Sequence, residues 1–296
     1  MKTIQPHWYH IVAILTVAVW GVTFVSTKVL IMRGLTPAEI YIYRFLLAYV
    51  GIWLISPPKL FSNNIKDELL FVMLGITGGS LYFMTENAAL EYTQASNVAL
   101  ILAITPLLSA FLTRLFYKNE KLKSNLIWGF IISLLGVAFV VFNGKFVLQL
   151  GTVGDMLTLA AAVSWAFYNI ILRRLQGQYS TIFITRKVFF YGMLTLLPLI
   201  VIGQVEFHID LLRNPTIWLN LLFLSIVASL VCFVVWNTVV KKLGIVKTSS
   251  YLYLVPLVTM LTSTLVVDEK ITSVAIIGTI LILSGVYLAE RGSLGR

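Results

Sequence analysis

The sequence predicts an all-α membrane protein in which ten transmembrane helices form two inverted five-helix repeats. Hydrophobic residues make up 59% of its 296 residues and charged residues only 11%, and the mean hydropathy is +0.92. A soluble domain of this length needs far more charge on its surface. The second observation is a self-match between the two halves of the chain, and the third is an uneven distribution of basic residues between the loops.

Windows of about 20 apolar residues, the length that crosses a bilayer, define the predicted helices. They are expected near residues 9–31, 38–56, 69–90, 96–117, 125–142, 155–173, 183–203, 216–240, 247–267 and 272–289. Turn and helix-breaking residues such as Gly34, Pro37, Pro57 and Pro58 lie between them. The first window is too long for the core of a signal peptide, and no small-residue cleavage site follows it. We therefore expect an uncleaved first helix.

The last third of each half repeats the same pattern of residues. The matched pairs are Asn87 and Asn237, Leu102 and Leu252, Pro106 and Pro256, Glu120 and Glu269, Gly129 and Gly278, and Gly136 and Gly285. We place the first repeat at residues 1–145 and the second at residues 146–296. Because five helices is an odd number, the second repeat must enter the membrane from the opposite side.

The distribution of basic residues predicts how the chain is oriented. One set of loops contains 16 of the 22 Lys and Arg residues, whereas the other contains only Arg33, Lys145, Arg213 and Lys270. The positive-inside rule places the basic loops, and both termini, in the cytoplasm. We expect a multi-pass protein of the plasma (inner) membrane, embedded in the lipid bilayer. The net charge of +10 is explained by this orientation, since no basic stripe or stacking module indicates nucleic-acid binding.

Several short segments occur in a specific order along nearly the whole chain. They are Trp20 to Phe24, Ala88 to Ser96, Thr105 to Leu107, Glu120, Gly129 to Gly136, Val255 to Leu257, Glu269-Lys270 and Gly278 to Gly285. Their order and spacing in two copies resemble the EamA-like family of the drug/metabolite transporter superfamily. The resemblance implies ten helices in two inverted repeats, and secondary transport or export of amino acids, other metabolites or drugs. It is weakest at the start of the second repeat, where Trp165-Ala166 replaces the Trp-Gly pair.

A secondary transporter is therefore the leading hypothesis for function. It would export a small-molecule substrate by alternating access between the repeats, with proton coupling as one possible mode. A facilitative uniporter or channel, and a non-transporting membrane scaffold, are the alternatives. The sequence contains no HExxH motif, no paired acids at catalytic spacing and no GxxxxGK[ST] motif, which argues against an enzyme and an ATP-driven pump. No cofactor or metal is expected, and the oligomeric state is either a monomer or a homodimer.

Charged residues within the spans are the first candidates for a functional site. Glu86 is the only carboxylate well inside a span, and an intramembrane acid is costly enough to indicate function. It either titrates a proton or binds a cation in a cavity, or it lies hydrated near the end of its helix, paired with Lys28 or Arg44. Arg44 either attracts an anionic group such as a substrate carboxylate, or serves only as a partner for an acid.

Aromatic residues inside the spans are the second set of candidates, because interfacial tryptophans normally lie at span ends. As a group they favour the wall of a cavity for apolar, aromatic or cationic substrates, and the alternative is ordinary helix packing. Together with Glu86, the predicted substrate-binding residues are Trp20, Phe24, Tyr82, Trp165, Tyr168, Asn169, Trp236 and Tyr251.

Two further groups of residues have predicted mechanical roles. Pro106 and Pro256 are expected in the middle of equivalent helices, where each removes a backbone hydrogen bond and acts either as a gating hinge or as a static kink. Small or amide side chains allow close helix approach or interhelical hydrogen bonds. The predicted helix-packing residues are Asn87, Asn237, Gly129, Gly136, Gly278 and Gly285.

Reporter fusions test the predicted orientation. A reporter at Gln178 should be active as a cytoplasmic fusion, and one at Asp210 as an external fusion, because one further helix separates these loops. Finding both reporters on the same side of the membrane would contradict the inverted-repeat topology.

Overall fold

The regular elements of the protein are helices. The computed structural model describes residues 6–56, 59–116, 124–142, 150–203, 205–244, 248 and 251–291, so the domain boundary predicted at 145–146 lies outside the described residues. The helical segments are α1 (Pro6–Met32), α2 (Pro37–Ile55), α3 (Ile65–Tyr92), α4 (Ala95–Phe116), α5 (Ser124–Phe142), α6 (Leu150–Leu175), α7 (Thr181–Val201), α8 (Pro215–Leu243), α9 (Tyr251–Val266) and α10 (Ser273–Arg291).

These segments agree with the ten predicted spans, and their ends differ by a few residues. Among the described residues, seven helices are long and apolar enough to cross a membrane, and apolar stretches of α5, α9 and α10 are shorter. Local sequence explains several helix starts. Thr36 and Glu39 form a reciprocal capping box at the start of α2, and Pro37 occupies its first turn, where its missing N–H is not needed.

The two repeats pack against each other through equivalent helices. Helix α1 contacts α8 and α9, and its counterpart α6 contacts α3 and α4. In the same way α2 contacts α8, and α7 contacts α3. This reciprocal pattern is the one expected of two equivalent halves related by a pseudo-two-fold axis. One apolar core, containing Phe45 and Phe83 of the first repeat with Trp165 and Phe233 of the second, joins the halves.

The last helices of the two repeats, α5 and α10, form a close pair. A Cβ atom added at Gly136 would lie 2.7 Å from the carbonyl oxygen of Gly278, and one added at Gly285 would lie 2.5 Å from the carbonyl oxygen of Gly129. Ser133 of α5 donates a hydrogen bond to the carbonyl of Ile282 at 3.1 Å. The glycines thus let two backbones meet without intervening side chains.

Both third helices contain a π-helical segment. In α3 it covers Ile76–Ser80, and in α8 it covers Phe223–Val231. The spacing that relates Asn87 to Asn237 also relates these two segments, so the irregularity is part of the repeated unit. In α3 the segment Ile-Thr-Gly-Gly-Ser is compatible with close packing, since a Cβ at Gly78 would lie 2.2 Å from the Tyr168 ring.

The two prolines lie at the starts of helical segments and not in their middles. Helix α4 is interrupted at Ala103 and Ile104, and Pro106 is the second residue of the segment Thr105–Phe116. Pro256 is the third residue of Leu254–Val266, after a 3₁₀ turn at Tyr251–Tyr253. A proline in the first turn keeps its fixed φ without losing a bond, which explains why the break precedes it.

The α5–α10 contact gives a stability test. Gly285→Val should lower the free energy of unfolding by about 1–3 kcal/mol, because the new side chain must displace the α5 backbone. The measurement is thermal unfolding of the purified protein in detergent. Ser284→Val is the matched control, since it adds the same side chain at an exposed position of the same helix. Equal effects of the two substitutions would show that the close approach of Gly285 to Gly129 is not a stability constraint.

Candidate functional site

A cavity of about 580 Å³, including space open to solvent, lies between the two repeats. The first repeat contributes most of its walls and its charged residues, and the second contributes aromatic and aliphatic residues. The lining residues are Trp20, Thr23, Phe24, Arg44, Tyr82, Phe83, Glu86, Ala99, Leu102, Ala103, Thr105, Trp165, Phe233, Leu252 and Val255.

Aromatic rings from both repeats form one continuous wall. Trp165 packs against Trp20 with ring centroids 5.9 Å apart and against Tyr82 at 4.8 Å. Phe233 contacts both tryptophans, at 6.0 Å from Trp20 and 5.8 Å from Trp165. The Trp20 indole N–H donates to the carbonyl of Ala228 at 3.0 Å, which fixes its orientation. The wall is therefore a preformed surface for an apolar or aromatic group.

Arg44 places a guanidinium group within this aromatic environment. Its side chain is 1% exposed, and its Nε donates to the Ser229 hydroxyl at 2.6 Å. The guanidinium carbon lies 4.5 Å from the centroid of the Phe83 ring, a cation–π contact. Its buried Nη1 has no hydrogen-bond partner. Arg44 is thus anchored on one side and retains an unpaired donor.

Glu86 provides the opposite charge. Its side chain is 2% exposed, lies beside the Tyr82 hydroxyl, and interacts electrostatically with Arg44. Both side chains are described, and they form no direct ion pair with each other. A buried carboxyl group and a buried guanidinium group therefore line the same cavity without a direct ion pair between them.

The π-helical segment of α8 holds both cavity anchors. Ala228, which accepts from Trp20, and Ser229, which accepts from Arg44, belong to Phe223–Val231. The equivalent segment of α3 accepts a hydrogen bond from the second repeat, because Ser164 donates to the Thr77 carbonyl at 2.8 Å. Such segments are frequent at functional sites, since their wider turn offsets side chains and exposes carbonyls.

Four predicted substrate-binding residues do not line the cavity. Tyr168 and Trp236 are fully buried in helix packing, and Tyr168 donates to the Asn237 side chain at 3.0 Å. Asn169 donates to the Ser109 hydroxyl at 3.1 Å. Tyr251 lies at the start of α9, where its hydroxyl bonds to His10. Of the predicted set, the cavity brings together Trp20, Phe24, Tyr82, Glu86 and Trp165.

Repeat spacing could have identified further lining residues. Phe83 and Phe233, Leu102 and Leu252, and Thr105 and Val255 are each 150 positions apart, and all six line the cavity. The 150-residue spacing is the only sequence feature that could have identified these residues, because none of them is chemically distinctive by itself. The equivalent of Glu86 at this spacing is Trp236, so the carboxylate has no counterpart in the second repeat.

The two predicted asparagines make contacts between helices. Asn87 donates to the carbonyl of Pro37 at 3.2 Å, which links α3 to α2. Asn237 donates to the Thr185 hydroxyl at 3.0 Å, which links α8 to α7. These equivalent bonds connect the third helix of each repeat to the second helix of the same repeat.

A buried carboxylate connects the repeats at the expected external end. Glu269, between α9 and α10, accepts hydrogen bonds from the backbone N–H groups of Ala95 at 2.7 Å and Ser96 at 3.1 Å. The Ser96 hydroxyl donates to the same carboxylate at 2.8 Å. A carboxylate at a helix N-terminus is favoured by the helix dipole and by the unpaired N–H groups there. Glu269 therefore fastens the second repeat to the start of α4.

Lys28 lies near this contact and not beside Glu86. Its ammonium group donates to the carbonyls of Leu90 and Thr93, where α3 ends, and interacts electrostatically with Glu269. The pairing of Lys28 with Glu86, considered from sequence, is therefore not formed.

A second contact at the expected external end joins Glu39 to His208. The buried Glu39 carboxylate accepts from the His208 backbone N–H, and His208 Nδ1 lies 3.0 Å from Glu39 Oε2. This hydrogen bond raises the pKa of His208 above its usual value, since the carboxylate stabilises the imidazolium form. The contact joins the start of α2 to the loop before α8. Glu39 thus bonds to Thr36 and His208 at the start of α2 and does not pair with Arg44.

Polar contacts also join the repeats at the expected cytoplasmic end. Lys187 of α7 forms an ion pair with Glu68 of α3, and the Tyr191 hydroxyl donates to the same carboxylate. The Tyr179 hydroxyl donates to Asp67 at 2.6 Å. Contacts between the halves are therefore present at both ends of the bundle.

Asp155 is a buried acid that sequence reasoning missed. It lies near the start of α6, is 1% exposed and interacts with the Thr93 side chain, outside the cavity lining. Within the described part of the chain, no group of three or more His, Cys, Asp or Glu residues could hold a metal ion.

Comparison with known proteins adds a family match. The EamA-like transporter family matches residues 7–142 and again residues 152–290. An Escherichia coli (strain K12) protein named "Probable amino-acid metabolite efflux pump" is 26% identical over 292 residues, covering 95% of this chain and 94% of the relative. A Streptantibioticus cattleyicolor protein named "Probable terminal-alkyne amino-acid exporter" is 25% identical, covering 100% and 97%. A solved crystal structure has the same fold, with a TM-score of 0.70 at 16% identity over 99% of this chain and 100% of the other.

Proposed function

Because the chain belongs to the EamA-like transporter family, we propose that it is a secondary active exporter of small metabolites such as amino acids, or of drugs. The relatives named as amino-acid efflux pumps and exporters support this class of substrate. The observation that carries the proposal is the cavity shared by the two repeats, which contains Arg44 and Glu86 within an aromatic wall. An inverted-repeat transporter binds its substrate in this position.

Alternating access would come from rocking of one repeat against the other. The contacts of Glu269 with α4 at one end, and of Lys187 with Glu68 at the other, join different repeats. Each set must break and re-form as the cavity opens to one side and then to the other. Ion pairs and helix caps suit this task, because water can replace them when an end opens.

The interrupted helices α4 and α9 are the proposed hinges. Ala103 and Thr105 line the cavity at the break in α4, directly before Pro106. The Thr105 hydroxyl donates to the Leu102 carbonyl at 2.6 Å, at the point where α4 is interrupted. Pro256 follows the corresponding 3₁₀ turn of α9. A side-chain bond is easier to exchange than a regular helical turn, so bending can concentrate there.

Glu86 is the proposed site of proton coupling. It lines the cavity, whereas the other carboxylates described above cap helices, pair with cations at the bundle ends, or lie outside the lining. Protonation of Glu86 would remove the charge that faces Arg44 and so change the affinity of the cavity for charged ligands. Proton and substrate would thereby influence each other at one site.

We place the protein in the plasma (inner) membrane with both termini in the cytoplasm, on the basis of the loop charges. We propose that it functions as a monomer or a homodimer.

Flux measurements separate the exporter from a uniporter, a channel and a scaffold. In liposomes an exporter or other carrier gives saturable flux and exchanges substrate across the membrane. A channel does not saturate readily, and a scaffold gives no flux. A proton-coupled exporter also responds to a pH gradient, whereas a uniporter does not.

Substitution of Glu86 tests the coupling. Glu86→Gln keeps the shape of the protonated acid, so it should abolish pH-gradient-driven transport while substrate exchange continues. The measurement is radiolabelled substrate flux in liposomes with and without a pH gradient. Asp155→Asn removes another buried carboxylate and should retain the response to the gradient. Gradient-driven transport at the wild-type rate in Glu86→Gln would exclude Glu86 as the coupling acid.

A further inference from the structure

We propose that the cavity binds a zwitterion with an apolar side chain, with its carboxylate at Arg44, its ammonium group at Glu86 and its side chain against the aromatic wall. The inference rests on the proposed transport function and adds the chemistry and orientation of the substrate. It is carried by the geometry of this chain's own cavity residues.

Arg44 presents a carboxylate site. Ser229 holds Nε, the Phe83 ring covers the guanidinium group, and Nη1 has no partner although it is buried. An unsatisfied buried donor is unfavourable, and the planar guanidinium matches the geometry of a carboxylate. A ligand carboxylate at Nη1 would satisfy this donor and neutralise the charge.

Glu86 presents the complementary site for an ammonium group. A carboxylate only accepts hydrogen bonds, and an ammonium group only donates them. The neighbouring rings of Tyr82 and Trp20 line the same cavity and also favour a cation. A positive group at Glu86 would therefore be surrounded by groups of suitable polarity.

The charge balance selects a ligand that has both groups. Because Arg44 and Glu86 form no direct ion pair, each can interact with a separate ligand group. A zwitterion satisfies both side chains and leaves the net charge of the cavity unchanged. A ligand with one charge leaves one of the two buried side chains, Arg44 or Glu86, without a new partner, and this loss would produce discrimination between ligands.

The apolar wall of the cavity would bind the side chain of the ligand. The lining contributed by the second repeat consists of Trp165, Phe233, Leu252 and Val255, whereas Arg44 and Glu86 both belong to the first repeat. The charged end of the ligand would therefore lie on the first repeat and its side chain on the second. Such a ligand bridges the two halves, which is how binding energy can influence their relative movement.

Four probes of matched structure test the assignment on the wild-type protein. L-Phenylalanine has all three recognition groups, 2-phenylethylamine lacks the carboxylate, 3-phenylpropionate lacks the amine, and glycine lacks the side chain. Binding is measured by calorimetry on the full chain in lipid nanodiscs. L-Phenylalanine should bind about tenfold or more tightly than each of the other three, because each lost group leaves a charged or apolar partner unoccupied. Equal or tighter binding of either single-charge probe would overturn the proposal, as would absence of L-phenylalanine binding.

Two variants assign each ligand charge to its residue. In Arg44→Gln, L-phenylalanine and 2-phenylethylamine should bind within a few-fold of each other. In Glu86→Gln, L-phenylalanine and 3-phenylpropionate should do so. Arg33→Gln, at an exposed position, and Asp155→Asn are the controls and should retain the wild-type preference. If the carboxylate preference survived in Arg44→Gln, the proposed orientation would be wrong.

Failure of this inference is distinguishable from failure of the proposed function. Saturable exchange of a singly charged drug, without L-phenylalanine binding, would refute the zwitterion site and leave the transporter intact. No saturable exchange of any compound in a panel of amino acids and drugs would count against both.

Discussion

A charged guanidinium buried in a membrane bundle must be compensated, and the centre of this protein is arranged around that requirement. Arg44 is held by a hydroxyl on α8, covered by the Phe83 ring and balanced by Glu86 on α3. These groups come from three helices and from both repeats, so the site exists only when the halves are packed together. A buried charge is unfavourable in a bilayer, so the presence of Arg44 in the cavity wall indicates a functional role.

The inverted duplication explains the shape of the cavity but not its chemistry. Equivalent pairs such as Phe83 with Phe233 and Leu102 with Leu252 line it from opposite halves, and both third helices contain π-helical segments. The charges break this symmetry, since Trp236 occupies the position that corresponds to Glu86. In the proposed mechanism the two halves would make equivalent movements, and the ligand would always meet the same charged surface on the first repeat.

Much of the fold was predictable from the sequence, because span length, loop charge and repetition depend on residue type alone. The ten segments and the role of Gly136 and Gly285 in close helix approach follow from these patterns, whereas the pairing of Gly136 with Gly278 is seen only in the structure. The π-helical segments could not be predicted from these patterns, because only the two glycines of Ile76–Ser80 indicated an irregular helix. The placement of Lys28 against helix-end carbonyls depends on the packing of distant turns, which residue spacing does not encode.

Residue spacing was likewise insufficient to predict which residues line the cavity. Tyr82 and Glu86 are one turn apart and share the cavity, as expected, but Trp165 and Asn169 have the same spacing and only Trp165 lines it. Asn169 instead bonds to Ser109. Periodicity identifies a helix face, whereas the neighbouring helices determine how far along that face the cavity extends.

The central claim is that this cavity is reached from both sides of the membrane in turn. Thr23 lines the cavity and Cys232 is the only cysteine, so Thr23→Cys on a Cys232→Ser background provides a single thiol there. A membrane-impermeant maleimide should label it in right-side-out and in inside-out vesicles. Thr259→Cys, at a fully buried position in the α1–α9 contact, should resist labelling from both sides. Labelling of Thr23→Cys from one side only, under every condition of substrate and pH gradient, would contradict the account.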